Sequence, residues 1–428
     1  MILRGIDGDV ELRDLFSGVD RIPRPGEGSG AWSYSGRSVN YESASGLPAV
    51  MACIRLIAET AASLPLEIYQ TDKGRIIEAD GYSTQANLLG REPNEHASAF
   101  QVWAHTFGAM LGWGNAYLLK AKSKGRVEAL YPLDPSRVTP RVEDGELVFY
   151  VRNANQPNDP KGTRLTKSEI LHVPGLLLTD PYIGVTPIAV HRHMLGNALA
   201  QQEYAGRYYA NDGSPGGIIS VPTQLTKEKR EEIREGFESR HRGASASHRV
   251  GVLSGGATFD TVGINLRDSQ WVEGNLASAQ ETARAFGVPA GMIDALSFNV
   301  RSTPEEDMSR FNLRLTPWLR RVESALESDK DLFPDVDIAG VVDNDPCVRF
   351  DTNHLVRADL AARFSAYSAA RQGGWMSANE IRAMENLGPV EGGDSVQVTP
   401  VGGAPNPDGS VNTSAPEAET QLVEEVDA

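Results

Sequence analysis

The chain is poor in cysteine and has no long apolar run. Its 428 residues include only Cys53 and Cys347, each isolated, which indicate neither a disulfide framework nor a cysteine-rich metal site. No apolar run approaches the roughly 20 residues that span a bilayer, and the N-terminus lacks the basic-then-apolar order of a secretory signal. The sequence therefore predicts a cytoplasmic product with no membrane partner.

Sequence signatures of catalysis are missing as well. The chain contains no P-loop, no GXGXXG after a predicted strand and no GXSXG around a serine. Asp307 and Asp343 each have another acid nearby only as a sequence neighbour on a turn or helix start, which does not favour a glycosidase-like pair. The eight histidines are scattered. We therefore predict a protein that is not an enzyme and has no catalytic residue, metal ion or cofactor.

Basic residues are scarce relative to acidic ones. The chain has 41 Lys and Arg against 57 Asp and Glu, a net charge of −16. Residues 391–428 contain eight acids and no base, which leaves −8 for residues 1–390. A chain with this charge lacks the basic balance of a protein that grips phosphates tightly.

Periodicity predicts an α+β body in the first half of the chain. Residues 1–40 are rich in Gly, Ser, Arg and Pro, which is typical of a flexible arm. Apolar residues at helical spacing predict helices near 47–64 and 99–113. Short alternating runs between turn-forming clusters predict a β-meander over 115–152, and a further strand near 170 completes an α+β domain.

The second half alternates helices with a small insert. Thr186 and Pro187 open a predicted long helix with a thin, alanine-rich apolar stripe. A dense turn signal ends it, and a charged helix with a strand and a β-hairpin follows. The chain then returns through a helix that ends at Gly287, Val288 and Pro289.

One loop directly precedes a strong helix start. Thr303 can cap the helix, Pro304 suits its first position, and Glu306 sits where a capping box has its acid. The helix that follows carries an apolar stripe, with a kink expected at Pro317. The preceding loop is therefore predicted to be presented at a fixed place, although an ordinary connector between helices is the alternative.

Six short motifs occur in an order that resembles a known family. They are GNAY (114–117), GVTPI (184–188), YYANDGSPGG (208–217), ARAFGVP (283–289), LTPWLRRVE (315–323) and NEIRAMENLGPVEGGD (379–394). Each motif alone is weak. Together, over about residues 40–394, they resemble the portal proteins, or head-tail connectors, of long-tailed bacteriophages.

The resemblance implies the α+β portal fold and a division of the chain. Its parts are a flexible arm 1–40, a wing 41–185, a stem helix 186–212, a small αβ clip 213–263, a returning stem helix 264–288, a tunnel loop with a long kinked helix 289–333, a wing strand 334–353, crown helices 354–390 and a disordered acidic tail 391–428.

It also implies a function and partners. The family forms a dodecameric ring at one capsid vertex of the virion, assembled in the host cytoplasm, through which double-stranded DNA is packaged by terminase and later ejected. The terminase large subunit, the major capsid protein and head-tail adaptor proteins are the implied protein partners. The tunnel loop residues implied to line the channel are Phe298, Asn299, Val300, Arg301 and Ser302. The clip residues implied to dock terminase are Lys227, Lys229, Arg230 and Arg234.

Besides the loop that the capped helix holds at a fixed place, two features read from the residues agree with the resemblance. A bore poor in bases lets DNA slide, because each phosphate contact through Lys or Arg releases counterions and adds affinity. A long helix with a thin apolar stripe is explained if identical neighbours in a ring cover it. The alternatives are a ring-forming tail or baseplate component, and a hydrolase whose acid pair is not recognised.

Overall fold

The structure is a computed structural model in which two compact units, Met1–Asp351 and Thr352–Ala428, are each described by themselves. The described residues are 2–5, 8–11, 32–72, 75–78, 83–152, 162–178, 180–210, 217–220, 222, 226–241, 258–261, 268–295, 303–333, 346–352, 355, 360–385 and 387–396.

The N-terminal arm is partly ordered, contrary to the prediction for residues 1–40. Strands β1 (Ile2–Gly5) and β2 (Gly8–Glu11) pair antiparallel. Residues 32–39 form a turn in which Ser33 is buried against Gly196, and the Tyr34 ring stacks on His193 with the ring centroids 3.8 Å apart. Local composition could not indicate this order, because the contacts come from residues about 160 positions away.

Four helices begin the body, and the second and fourth of them match the predicted apolar spacing. They are α1 (Tyr41–Ser45), α2 (Pro48–Ser63), α3 (Ser83–Gly90) and α4 (Ala99–Trp113). A capping box between Ser98 and Gln101 starts α4. The side chains of Trp103 and Phe107 are buried, whereas Phe100, on the same predicted helix, is 46% exposed. The helix α3 was not predicted.

The strands of the body form separate antiparallel sheets rather than one meander. The first sheet has the order β13-β3-β4 and consists of β3 (Leu66–Asp72), β4 (Arg75–Glu78) and β13 (Pro346–Phe350). The second has the order β10-β5-β6 and consists of β5 (Asn115–Ser123), β6 (Arg126–Leu133) and β10 (Ile170–Pro174). The third has the order β7-β8-β9 and consists of β7 (Val138–Glu143), β8 (Glu146–Val151) and β9 (Thr163–Thr166). The predicted meander was wrong at the step from β6 to β7. A 3-10 turn, Pro135–Arg137, capped by Asp134, redirects the chain there.

The long helix predicted from Thr186 is interrupted. It consists of α5 (Pro187–Val190) and α6 (Arg192–Ala210), separated by His191, whose backbone leaves the helical region at φ −100° and ψ 26°. Thr186 Oγ1 donates to the Leu111 carbonyl oxygen at 2.5 Å and accepts from Ile188 N at 3.1 Å. The start of α5 is therefore held on the end of α4.

The insert after α6 is described only in part. Its described elements are β11 (Gly217–Ser220), α7 (Lys227–His241) and β12 (Thr258–Thr261). Strands β11 and β12 pair antiparallel with each other. The hairpin predicted within 249–264 is therefore not the observed pairing of β12, and its other arm lies outside the described residues.

The chain returns through α8 (Asp268–Phe286), which contacts α2 and α6. A 3-10 turn, Ala290–Ile293, follows, and α9 (Pro304–Glu327) continues as one helix through Pro317. Among the described helices, none is long and apolar enough to cross a membrane. Both cysteines are buried and free, and burial raises the pKa of Cys53 to about 12, so that thiol is unreactive.

The second unit contains α10 (Leu360–Gln372) and α11 (Ala378–Met384). Glu385 joins the two helices, because its carboxylate accepts from Arg363 Nη2 and Tyr367 Oη, each at 3.0 Å. Asn379 binds Val390 and Asp394 through its side chain at 2.8 Å. The predicted boundary of the disordered tail at 391 was therefore wrong for residues 391–396. Residues 397–428 lie outside the described ranges.

Candidate functional site

The segment 296–302 enters from a fixed point at Ala295. Ala295 is 3% exposed, its N–H donates to the Ala290 carbonyl at 2.9 Å, and its own carbonyl accepts from Gln280 Nε2 on α8 at 3.0 Å. The preceding residue, Asp294, has a left-handed backbone with φ 56°, which closes the 3-10 turn sharply. The chain therefore leaves α8 in one defined direction.

The segment ends at the capped start of α9. Thr303 Oγ1 accepts from Glu306 N at 3.3 Å, and Pro304 takes the first helical position, as predicted. The Glu306 carboxylate does not complete a capping box. It lies 3.6 Å from Arg310 Nη2, one turn further along the helix. The side-chain cap and the proline together fix where the helix begins.

Two carboxylates join the other end of α9 to a sheet edge. Glu323 Oε1 accepts from Phe350 N, and Glu327 Oε1 accepts from Val348 N, each at 2.9 Å. Strand β13 pairs with β3 on one edge, so the helix supplies acceptors for alternate N–H groups on the other edge. Arg349 Nη1 also contacts the Glu327 carboxylate. The helix thus takes the place of a further strand.

A buried ion cluster lies just beyond the C-terminus of α9. Lys120 Nζ on β5 donates to Asp329 Oδ2 at 2.7 Å, to Asp331 Oδ2 at 2.8 Å and to the Lys167 carbonyl at 2.9 Å. The Lys120 and Asp329 side chains are 1% and 5% exposed. Lys122 Nζ adds a contact to Asp331 Oδ1 at 2.6 Å. Two lysines balance two aspartates, so the cluster adds no net charge.

The apolar face of α9 completes its attachment to the body. The fully buried side chains on this face recur at three- and four-residue spacing, as the sequence pattern predicted: Phe311, Leu315, Leu319, Val322 and Leu326. The helix is therefore held by packing along its length and by charged hydrogen bonds at its C-terminal end. It acts as a strut whose N-terminal end carries the segment 296–302.

The predicted tunnel-loop residues lie outside the described residues. These are Phe298, Asn299, Val300, Arg301 and Ser302. The structure describes only the two ends of their segment, at Ala295 and Thr303, so their role as channel lining stays a prediction.

The predicted docking residues are all on α7. Lys227, Lys229 and Arg230 are exposed. Arg234 follows Lys227 and Arg230 at the spacing that places residues on one helix face, while Lys229 lies off this face. No partner is present to test their predicted role, and it also stays a prediction.

Two of the sequence motifs meet at a glycine junction. Gly114 ends α4 with a left-handed backbone of φ 82°, and its carbonyl accepts from Gly175 N at 2.8 Å. Asn115 Nδ2 donates to the Gly184 carbonyl and Asn115 Oδ1 accepts from Gly184 N, both at 2.9 Å. His172 Nε2 lies 3.0 Å from the same Oδ1, and burial lowers the pKa of His172 to about 3, so the neutral ring donates there. The motifs GNAY and GVTPI thus build the junction from which α5 departs.

The residues that anchor α9 were not predicted from the sequence. Lys120 interrupts an apolar strand, AYLLKAK, and a lysine at a buried strand position is a signal for a buried carboxylate partner. Glu323 and Glu327 have the spacing of one helix face, but solvent-exposed glutamates commonly share that spacing. Their strand partners could be found only from the fold.

The described residues form a structural scaffold. An α+β body anchors a long helix along its apolar face and at its C-terminal end, and no described group of His, Cys, Asp and Glu could bind a metal ion. The chain belongs to the phage portal protein family, whose model matches residues 48–386. The resemblance drawn from six short motifs is confirmed, and this family is structural rather than enzymatic.

Known portal proteins are similar along most of the chain. The chain is 28% identical over 378 residues to a probable portal protein of Streptomyces phage phiC31, covering 85% of this chain and 79% of that protein. It is 25% identical over 397 residues to the portal protein of Enterobacteria phage HK97, covering 90% of each. Both comparisons span the body, the insert and the returning helices.

Solved structures share the fold. An HK97 family phage portal protein from Corynebacterium diphtheriae matches with a TM-score of 0.56 and 20% identity, over 74% of this chain and 98% of that chain. A chain from the virion of a native gene transfer agent particle matches with a TM-score of 0.55 and 22% identity, over 81% and 91%. The predicted α+β portal fold is confirmed.

Proposed function

We propose that this protein forms a dodecameric ring at one vertex of a phage-like capsid and serves as the conduit for double-stranded DNA. The observation that carries the proposal is the strut α9, anchored at Glu323, Glu327 and Asp329, with the segment 296–302 at its opposite end. In a ring, every copy would hold this segment at the same radius. A ring of such segments would surround a duplex, and each segment would be supported by a rigidly held helix.

The charge of the chain supports a conduit rather than a gripping protein. With a net charge of −8 over residues 1–390, the body offers few counterion-releasing contacts to DNA, so a duplex could move through it. The segment 298–302 contains one base, Arg301, which would recur once per subunit as a thin basic ring. No cofactor is required for passive passage.

The remaining partners in the proposal are proteins. The terminase large subunit would dock at the clip, 213–263, during packaging, while the major capsid protein and head-tail adaptor proteins would contact other faces of the ring. The wing, stem, clip and crown divisions that the resemblance implies are part of this proposal. The protein would assemble in the host cytoplasm and reside at the capsid vertex of the virion.

We expect purified protein to form closed rings with a central hole in negative-stain electron micrographs. The long α6 with its thin apolar stripe needs neighbours to cover it, which closed cyclic contacts supply. Strictly monomeric protein at high concentration and at every salt concentration would contradict the proposal. A ring that copurifies with tail components and never with capsid protein would favour a tail or baseplate role.

Replacing Val300 and Arg301 with alanine is expected to leave ring formation intact and to reduce DNA packaging or retention. The reason is that the proposed segment contacts DNA and not a neighbouring body. Arg126→Ala, at the exposed start of β6, is the matched control and is expected to change neither property. Loss of rings in the double variant would make the segment an interface between subunits.

Charge reversal of Lys229, Arg230 and Arg234 to glutamate is expected to weaken binding of the terminase large subunit while leaving incorporation into capsids unchanged. All three lie on α7, which is separate in sequence from the anchored strut α9. Pull-down by terminase and the portal content of purified capsids measure the two properties. An equal loss of both would show that the helix serves assembly instead of docking.

A further inference from the structure

A cavity of about 340 Å³ lies at the root of the segment 296–302. It is an open cleft bordered by α8, the 3-10 turn and the first turns of α9, and its lining consists of Gln280, Ala283, Arg284, Val288, Pro289, Ala290, Gly291, Asp307, Arg310 and Arg314. Three of these side chains are guanidinium groups from two helices. Three arginines around one cavity are a local cluster of basic residues in a chain that is acidic overall.

The cavity has an excess of positive charge. Arg310 makes one exposed contact to Glu306 at 3.6 Å, whereas Arg284 and Arg314 form no ion pair with any residue that the structure describes. Asp307 is 8% exposed and is the only carboxylate of the lining. The three guanidinium groups are exposed, and they face Asp307 in the lining and Glu306 beside Arg310, so the site keeps a net positive charge that an anion would balance.

The geometry points to a phosphate group as that anion. Guanidinium groups present paired N–H donors that match phosphate oxygens, and they remain charged at all physiological pH values. The cavity borders both Ala290 in the 3-10 turn and Asp307 in the first turn of α9, so it lies beside the two ends of the proposed DNA-facing segment. We propose that this cavity binds a phosphate group, supplied by the DNA backbone.

Asp307 limits the strength of this binding. A carboxylate in the wall of the cavity repels an incoming phosphate while it attracts the same guanidinium groups. A phosphate therefore binds and leaves easily, as a moving duplex requires. The DNA source rests on the proposed function, whereas the phosphate site rests on the cavity alone. A carboxylate from a second copy of the chain is the competing occupant.

The test uses the full chain, with inorganic phosphate in calorimetry and a short labelled duplex in fluorescence anisotropy. We expect Arg284→Gln with Arg314→Gln to weaken binding of both by about tenfold or more, because charged hydrogen bonds are lost. The control pair Arg55→Gln with Arg126→Gln removes the same charge from exposed sites outside the cavity lining and is expected to leave both affinities unchanged. Asp307→Asn is expected to tighten phosphate binding.

The outcomes separate the possible occupants. Loss of phosphate affinity with unchanged duplex affinity supports the phosphate site and overturns its DNA source. Equal weakening by the control pair overturns the site, since only net charge would then matter. Absence of phosphate binding, with ring assembly lost only in Arg284→Gln with Arg314→Gln, overturns it in favour of a carboxylate from a neighbour. Failure of the wild type to form rings would instead contradict the proposed function while leaving a measured phosphate site intact.

Discussion

Gly114→Ala is expected to destabilise the protein by about 2 to 5 kcal/mol, the sum of a strained backbone and an overpacked junction. Gly114 has φ 82°, a conformation that L side chains rarely adopt, and an added Cβ would overlap the Gly184 carbonyl oxygen and lie 2.9 Å from Thr186 N. Both neighbours are backbone atoms, so no side chain can rotate away. Urea unfolding followed by circular dichroism measures the loss as a lower transition midpoint.

Gly108→Ala is the matched control on the same helix. An added Cβ at Gly108 meets nothing within 4 Å, and the position lies inside α4. Alanine is there expected to stabilise the protein by about 0.5 to 1 kcal/mol, because glycine loses more conformational freedom on folding. If Gly114→Ala and Gly108→Ala shift the midpoint in the same direction by similar amounts, the junction does not have the close packing described above.

The junction explains why glycines recur at separate places in the sequence. Gly114, Gly175 and Gly184 come from the end of α4, the end of β10 and the start of α5, and each backbone approaches another too closely for a Cβ. The path into the helices α5 and α6 is therefore set by contacts between backbones. A defect at this point is expected to misdirect the helices that the proposed ring needs.

The sequence predicts the helices and strands that can be recognised from the spacing of their own apolar residues and from their own caps. Helices α2 and α4 and the buried face of α9 follow from apolar spacing and from caps such as Ser98 and Thr303. Strand β9, with the residues TRLT, has no alternation that distinguishes it from a loop. It is a strand because β8 offers it a free edge, which is a property of the fold and not of the segment.

In the candidate site, too, local features could be predicted from the sequence and long-range contacts could not. The start of α9 could be predicted because Thr303 and Pro304 act on the residues next to them. The anchoring of its far end could not, because Lys120 and Asp329 are 209 positions apart. The attachment of the start of α5 to the end of α4 likewise depends on a contact from Thr186 to Leu111, 75 positions away. Long-range hydrogen bonds are therefore what the sequence pattern does not reveal.

The ion cluster at the end of α9 also has a defined pH dependence. Burial raises the pKa of Asp331, but hydrogen bonds from Lys120 and Lys122 outweigh burial and hold the pKa below its ordinary value of 3.8. A carboxyl whose pKa is lowered by folding stabilises the folded state above the unfolded pKa, and that stabilisation is lost as the pH falls through the folded value. The contribution of Asp331 is therefore complete at neutral pH and disappears only below about pH 4.

Lys120→Met is expected to destabilise the protein by about 3 to 5 kcal/mol at neutral pH, because it leaves a buried charge without its partner. The Asp329 side chain is 5% exposed and keeps only the N–H donors of Asp331 and Leu332, at 3.0 and 3.1 Å, after the ammonium group is removed. Methionine fills a volume similar to that of the lysine stem, so the loss comes from charge and not from a cavity.

Lys122→Met is the control, since this lysine has a 27% exposed side chain and a contact to Asp331 alone within the described cluster. It is expected to cost less than about 1 kcal/mol. Adding Asp329→Asn to Lys120→Met should recover part of the lost stability, because the unpaired charge is then removed. Urea midpoints at pH 7 measure all three variants. Equal costs for Lys120→Met and Lys122→Met would mean that α9 is held by its apolar face and the β13 contacts, and that the buried pair contributes nothing to the strut.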